Sequence, residues 1–171
     1  MCTPNESAED IFGPDGRLRL GLLSESALTA LLESLSQARQ TLWDSVRSPH
    51  VFMGLLAAPD AGVRNWGERL DEDLAHILGQ FQELFRQESG EDDAVLILNR
   101  EFLSDNVIRL LRDAHTRAIE NHRDLITPMD LLITMLTAPN SIVAECFERI
   151  GVTAAKLTEL AVIAEHQARP D

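Results

Sequence analysis

Shifted by 80 residues, this sequence matches itself without a gap. Identical pairs include Leu23/Leu103, Ser24/Ser104, Leu31/Leu111, Ala38/Ala118, Asp44/Asp124, Leu56/Leu136, Pro59/Pro139, Glu68/Glu148 and Arg69/Arg149. Conservative pairs such as Glu25/Asp105, Val46/Ile126 and Leu70/Ile150 lie between them. One register held for nearly fifty residues marks a duplication. A repeated unit of this length is multi-helical, and two copies stack with pseudo-twofold symmetry.

Both copies carry the same punctuation. The first helix is expected after Ser24 and Ser104, hydroxyl N-caps followed by an acid in the first turn. Leu28, Leu31, Leu32, Leu35, Ala38 and Leu42 recur at helical spacing, as do Ile108, Leu111, Ala114 and Ala118. A short loop follows, over Trp43 to Arg47 and His122 to Ile126. The second helix is expected to start at Ser48-Pro49 and Thr127-Pro128, a hydroxyl N-cap with proline at the first helical position. The register slips by one residue there, because Ser48 aligns with Pro128. These second helices are apolar nearly all round, which predicts central burial, and both stop at Ala-Pro. Asp60 and Asn140 are expected to cap a third helix carrying Val63, Trp66 and Leu70, or Val143, Cys146, Phe147 and Ile150. A fourth covers roughly Glu72 to Arg86 and Thr153 to Gln167. The fold class is therefore all-α, with eight helices in two pseudo-symmetric four-helix repeats.

The organisation that follows is an N-terminal arm over 1–22, a first repeat over 23–87 and an acidic linker over 88–94. An entry segment with the second repeat covers 95–168, and the whole forms one compact domain. The β-prone segments Leu18-Arg19-Leu20 and Val95-Leu96-Ile97-Leu98 fall close together at the same shift, with Leu18 on Leu98. They could pair as a small ribbon or serve as extended entry arms.

At 171 residues the chain is long enough to bury a core without disulfides or a metal. Its two cysteines, Cys2 and Cys146, form no disulfide framework, which points to a reducing, cytoplasmic setting. The net charge of −13 argues against nucleic acid and against an anionic membrane surface as partners. No apolar run reaches the length of about 18 residues that a membrane span needs. The first ten residues lack the basic and apolar regions of a secretory signal.

The paired segments Ser48-Pro49-His50-Val51-Phe52-Met53-Gly54-Leu55-Leu56-Ala57-Ala58-Pro59 and Thr127-Pro128-Met129-Asp130-Leu131-Leu132-Ile133-Thr134-Met135-Leu136-Thr137-Ala138-Pro139 resemble the double Clp repeat. That repeat is the N-terminal domain of Clp-type AAA+ unfoldases. In the family this place reads Thr-Glu-His before a leucine-rich helix, then a turn and a valine-led helix, here Ala61-Gly62-Val63 and Ser141-Ile142-Val143. The resemblance spans about residues 23 to 168 and implies a stand-alone, all-α module that binds clients, adaptors or an unfoldase and has no enzymatic activity. Regulatory competition for adaptors is a further role it implies. The ATPase modules of full-length relatives are absent: there is no phosphate-cradling Gly-x-x-x-x-Gly-Lys motif, and the single lysine is Lys156. Some relatives bind phosphorylated arginine through the glutamate of each Thr-Glu-His. Pro49 and Met129 stand at those positions and cannot pair with a guanidinium.

No catalytic constellation is legible, and no cofactor is expected. The alternative of a helical metal protein rests on His115 and His122, seven apart, with Glu120 between them. No Glu-x-x-His pair supports it. Cys146 on an apolar helix face is expected to be a small buried hydrophobe. Trp66 is expected in the core, while Trp43, which aligns with Arg123, could anchor a peptide. The partner-binding surface is placed in one groove between the repeats, at the starts of the second helices. Arg47, Ser48, His50, Thr127 and Asp130 would line it, with Trp43 at its edge. Helix-start amides there would suit acidic groups.

Overall fold

The computed structural model describes residues 10–90 and 95–168. Cys2 and residues 91–94 of the expected linker lie outside this range. Eight α-helices occur among the described residues, four per repeat. The first repeat holds α1 (Glu25–Gln40), α2 (Ser48–Ala57), α3 (Ala61–Leu70) and α4 (Leu74–Phe85). The second holds α5 (Asp105–Glu120), α6 (Pro128–Thr137), α7 (Ile142–Glu148) and α8 (Ala154–Gln167). A 3₁₀ turn precedes each set, Leu20–Leu22 and Arg100–Phe102, 80 residues apart at both ends. No helix of the described residues is long and apolar enough to cross a membrane.

Local chemistry sets these boundaries. Ser24 and Ser104 cap α1 and α5, accepting from the amides of Ala27 and Val107. Two expected caps are displaced. The N-cap of α2 is Arg47 rather than Ser48, so Pro49 sits at the second helical position. The 80-residue register therefore holds through the second helices, with Arg47 opposite Thr127. In α7 the cap is Ser141, while Asn140 adopts a left-handed turn with φ 58°. Asn140 can hold that conformation at little cost because its short polar side chain bonds locally. The helix ends repeat as well: Leu42 and His122 are left-handed after the first helices, Asp71 and Gly151 after the third.

The repeats are joined by reciprocal backbone pairing. Leu23 forms a parallel bridge with Ile126, and Val46 forms its counterpart with Leu103. Ser24 N–H donates to the Ile126 carbonyl at 2.9 Å, and Ser104 N–H to the Val46 carbonyl at 3.0 Å. Each repeat thus secures the first helix of the other. The third helices also cross over: α3 packs on α8 and α6, and α7 packs on α2 as well as on α6 and α8. The two β-prone segments meet through single bridges rather than a sheet. Leu18 N–H donates to the Leu98 carbonyl at 3.0 Å, and Arg17 bridges Asn99.

The apolar second helices lie at the centre, with Val51, Phe52, Met53 and Leu55 and, opposite, Leu131 and Leu132 fully buried. The seam is aromatic: Phe147 of the second repeat sits 6.0 to 6.2 Å from Phe52, Trp66 and Phe81 of the first. Trp66 is buried as expected and donates Nε1–H to the Leu157 carbonyl across the repeats. The buried face of α1 is rotated from the expected leucine stripe. It consists of Ala27, Ala30, Leu31, Ser34, Gln37 and Ala38, leaving Leu32 half exposed. The cause is a close crossing of α1 and α2 at Gly54, which only small residues permit. A Cβ at Gly54 would strike the Ala30 carbonyl and come within 2.9 Å of Ser34 N. Gly79 on α4 faces open space. Gly54→Ala should therefore destabilise the fold by about 1–3 kcal/mol. Gly79→Ala should stabilise it by about 0.5–1 kcal/mol. Chemical denaturation of the two variants checks both signs.

Candidate functional site

The start of each second helix is built from equivalent positions, and the two copies use different chemistry. Each first helix ends in a Schellman-type turn, with Trp43 N–H donating to Ala38 and Arg123 N–H to Ala118. Residues 43 and 123 therefore leave their helices at the same place. In the first repeat Trp43 Nε1–H donates to the Phe85 carbonyl at 2.6 Å. In the second, Arg123 lies 3.6 Å from Glu165, the counterpart of Phe85. A hydrogen bond from an indole to a backbone carbonyl in one copy is an ion pair in the other.

The third position of each second helix closes back on its N-cap. His50 Nδ1 accepts the Arg47 N–H at 2.9 Å, so this nitrogen is unprotonated and Nε2 carries the hydrogen. Nε2 then faces Thr41 Oγ1 at 3.0 Å, and that hydroxyl donates to the Gln37 carbonyl at 2.7 Å. His50 is 1 % exposed and meets the Trp43 ring edge-on at 5.4 Å. Burial, with a smaller contribution from the Arg47 charge, lowers its pKa to about 4. In the second repeat Asp130 takes this place, 0 % exposed. It accepts from Thr127 N–H at 2.8 Å, from Arg117 Nη1 at 2.7 Å, and from both terminal nitrogens of Arg123. Burial alone would raise its pKa, but hydrogen bonds from Arg123, Thr127 and Arg117 hold it below the usual carboxylate range. Arg117 completes the group with a two-pronged contact to Glu165, 2.9 Å on each prong.

The expected single groove is instead two clefts that share no lining residue. The first, about 390 Å³, is lined by Trp43, Arg47, Ser48, Pro49, His50 and Phe85, and across the repeats by Asn106 and Ile142. The second, about 570 Å³, is lined by Arg123, Thr127, Met129, Glu165 and His166, and across the repeats by Ser26 and Gly62. Most of these positions correspond at the 80-residue shift. Volume is exchanged between the walls. Pro49 faces the cleft with Ile142 in one copy; Met129 does so with Gly62 in the other, where a Cβ would strike the Met129 side chain.

Of the six expected residues, Trp43, Arg47, Ser48 and His50 border the first cleft and Thr127 the second. His50 and Asp130 are buried struts rather than exposed contacts, because their side chains satisfy the N-cap amides that were expected to receive an acidic ligand. Arg47 lies over the Trp43 ring at 5.0 Å. Arg117, Arg123 and Glu165 were absent from the expected set. The exchange of Gln37, Trp43 and Phe85 for three ionised residues at the 80-residue shift was the available signal. The helix face that His115 and His122 were expected to share does not form. Helix α5 ends at Glu120, His122 sits in the left-handed turn beyond it, and no three His, Cys, Asp or Glu of the described residues converge as metal ligands. Cys146 is half-buried, and burial raises its pKa.

Because His50 is depressed in the folded state, the unfolded chain binds the extra proton between pH 6.5 and about 4. Stability is complete above pH 6.5 and falls as the pH drops through this window, by about 2–3 kcal/mol at pH 4.5. Urea unfolding at pH 7 and 4.5 should show this loss, and His50→Gln should largely abolish the difference.

No family model and no curated protein matches the sequence. Solved structures do match the fold. The N-terminal domain of the caseinolytic protease associated chaperone ClpD from Arabidopsis thaliana superposes with a TM-score of 0.66 at 16% identity, covering 86% of this chain and 97% of that one. The N-terminal domain of the ClpV1 ATPase from E. coli EAEC Sci1 T6SS superposes with a TM-score of 0.63, also at 16% identity, covering 89% and 92%. With its two interlocked four-helix repeats, the chain has the fold of a Clp N-terminal domain.

Proposed function

We propose that this chain is a non-catalytic protein-binding module that engages a segment of a client, an adaptor or an AAA+ unfoldase. In this reading it serves as an accessory or regulatory factor in protein quality control. The observation that carries the reading is the pair of pseudo-twofold clefts at the starts of α2 and α6. Each is bounded by both repeats, so a bound segment touches the two halves at once. The solved neighbours add support, since one belongs to a chaperone and the other to an ATPase of a secretion system.

The first cleft has the makings of a peptide anchor. Trp43 is pinned by its bond to Phe85 and covered by the Arg47 guanidinium, and Ile142, 43% exposed, forms the opposite wall. A preset aromatic and an arginine bordering a cleft are the residue types that dominate binding energy at interfaces. Arg47 and Ile142 are exposed, so both can be replaced without opening the buried core.

In-cell crosslinking of a tagged chain, read by mass spectrometry, tests the proposal. The Arg47→Glu, Ile142→Glu double variant should lose the captured partner by about tenfold or more, while Gly79→Ala retains it. Equal capture by all three chains overturns the first cleft as the contact. Absence of any specific partner overturns the module reading.

A further inference from the structure

Resting on the binding-module reading, we infer that the second cleft takes an oxyanion carried by a peptide side chain, and that Glu165 occupies its place until the ligand arrives. Arg123 lines the cleft, and Arg117 stands behind Glu165, where it becomes accessible once that carboxylate leaves; together they form the receiving pair. Buried Asp130 anchors both guanidiniums, Arg123 through two nitrogens, which sets its plane, and Arg117 through one. Glu165 accepts both prongs of Arg117 at 2.9 Å, the fork geometry by which arginine holds a carboxylate or phosphoryl group. Its distance to Arg123 Nη2 is 3.6 Å, longer than a hydrogen bond. Among the described residues nothing bonds the Nε–H of Arg123, which lines the cleft. Arg123 therefore has donors to spare for an incoming anion.

The charges require an occupant. Two guanidiniums face the single buried carboxylate of Asp130, so one positive charge is left for Glu165 or a ligand. Glu165 is the exchangeable partner. It comes from the last turn of α8 and its side chain is 21% exposed, whereas that of Asp130 is fully buried. Asp60 also lines the cleft, but its Oδ1 caps α3. Beside the anion position, Met129 and Gly62 offer an apolar wall, which favours an oxyanion next to an aliphatic group. The first cleft cannot do the same, because Gln37, Trp43 and Phe85 stand where Arg117, Arg123 and Glu165 do.

The test is an NMR titration of the full chain with three probes: the blocked dipeptide acetyl-Asp-Leu-amide, its Asn-Leu counterpart, and inorganic phosphate. Glu165→Gln removes the competing charge and keeps a hydrogen-bonding side chain. It should bind the Asp probe about tenfold more tightly than wild type. Shifts should centre on the Arg117 and Arg123 Nε–H groups. Inorganic phosphate should compete if bare oxyanion chemistry suffices; failure to compete assigns the site to the carboxylate with its aliphatic neighbour. Should Glu165→Gln lose its fold, wild type decides: the Asp probe must still move the arginine signals and the Asn probe must not. Equal binding of the Asp and Asn probes, or an unchanged Asp affinity in folded Glu165→Gln, overturns the inference. Either result leaves the module reading to the crosslinking experiment, which depends on the other cleft.

Discussion

The architecture depends on four backbone hydrogen bonds that link the repeats reciprocally. Ser24 and Ile126 N–H donate to Ile126 and Leu22; Ser104 and Val46 N–H donate to Val46 and Phe102. Each pair ties the entry to a first helix with the loop before the other repeat's second helix. The pseudo-twofold axis and the positions of both clefts follow from this tie. Helices α2 and α6 then fill the centre, and the crossed third helices place Phe147 among Phe52, Trp66 and Phe81. Neither repeat can bury its apolar helix alone, which is the physical basis of stacked repeats.

Within that frame the two copies solve one local problem in two ways. A second helix must begin in the interior, where unpaired amides are costly. His50 meets the need with a neutral imidazole and a relay to Thr41. Asp130 meets it with a carboxylate, which then requires Arg117 and Arg123, and these in turn need Glu165. A buried ion pair adds little net stability over an apolar equivalent, yet removing one partner costs about 3–5 kcal/mol. The buried Asp130 therefore depends on both of its arginines. The simpler neutral version in the first repeat leaves room for Trp43 and Phe85.

The duplication, the helix count and most helix starts were legible because each rests on short-range chemistry: hydroxyl caps, Ala-Pro stops and helical periodicity. The errors came where tertiary contacts decide. Ser48 looks like a cap beside Pro49, but His50 can reach back only to the residue at 47. The leucines of α1 looked like a core stripe, but Gly54 draws α2 onto Ala30 and Ser34 instead. His50 and Asp130 were legible as paired positions, and His50 as a structural contact, but the depth of Asp130 was not, since burial of a helix start is not written in its own residues. The arginine partners of Asp130 lie 13 and 7 residues before it, and the Glu165 that balances Arg117 lies 48 residues beyond that arginine, outside any local pattern.

The acidity of the chain bears on recognition differently from what its size suggests. A net charge of −13 repels anions at a distance, but at physiological salt that field fades over about 8 Å. At contact range each cleft presents an arginine, Arg47 or Arg123, held in place by a ring or by a buried carboxylate. Long-range steering and short-range contact therefore favour opposite charges. A partner that satisfies both carries an overall basic surface and offers a locally acidic or apolar segment to the clefts. In the proposed binding role, steering would set the encounter rate, while the fit to Trp43, Ile142 and Arg123 would set how long the complex lasts. If the chain binds a protein as proposed, its acidic surface would make it selective, because a uniformly acidic partner is repelled before it reaches either cleft.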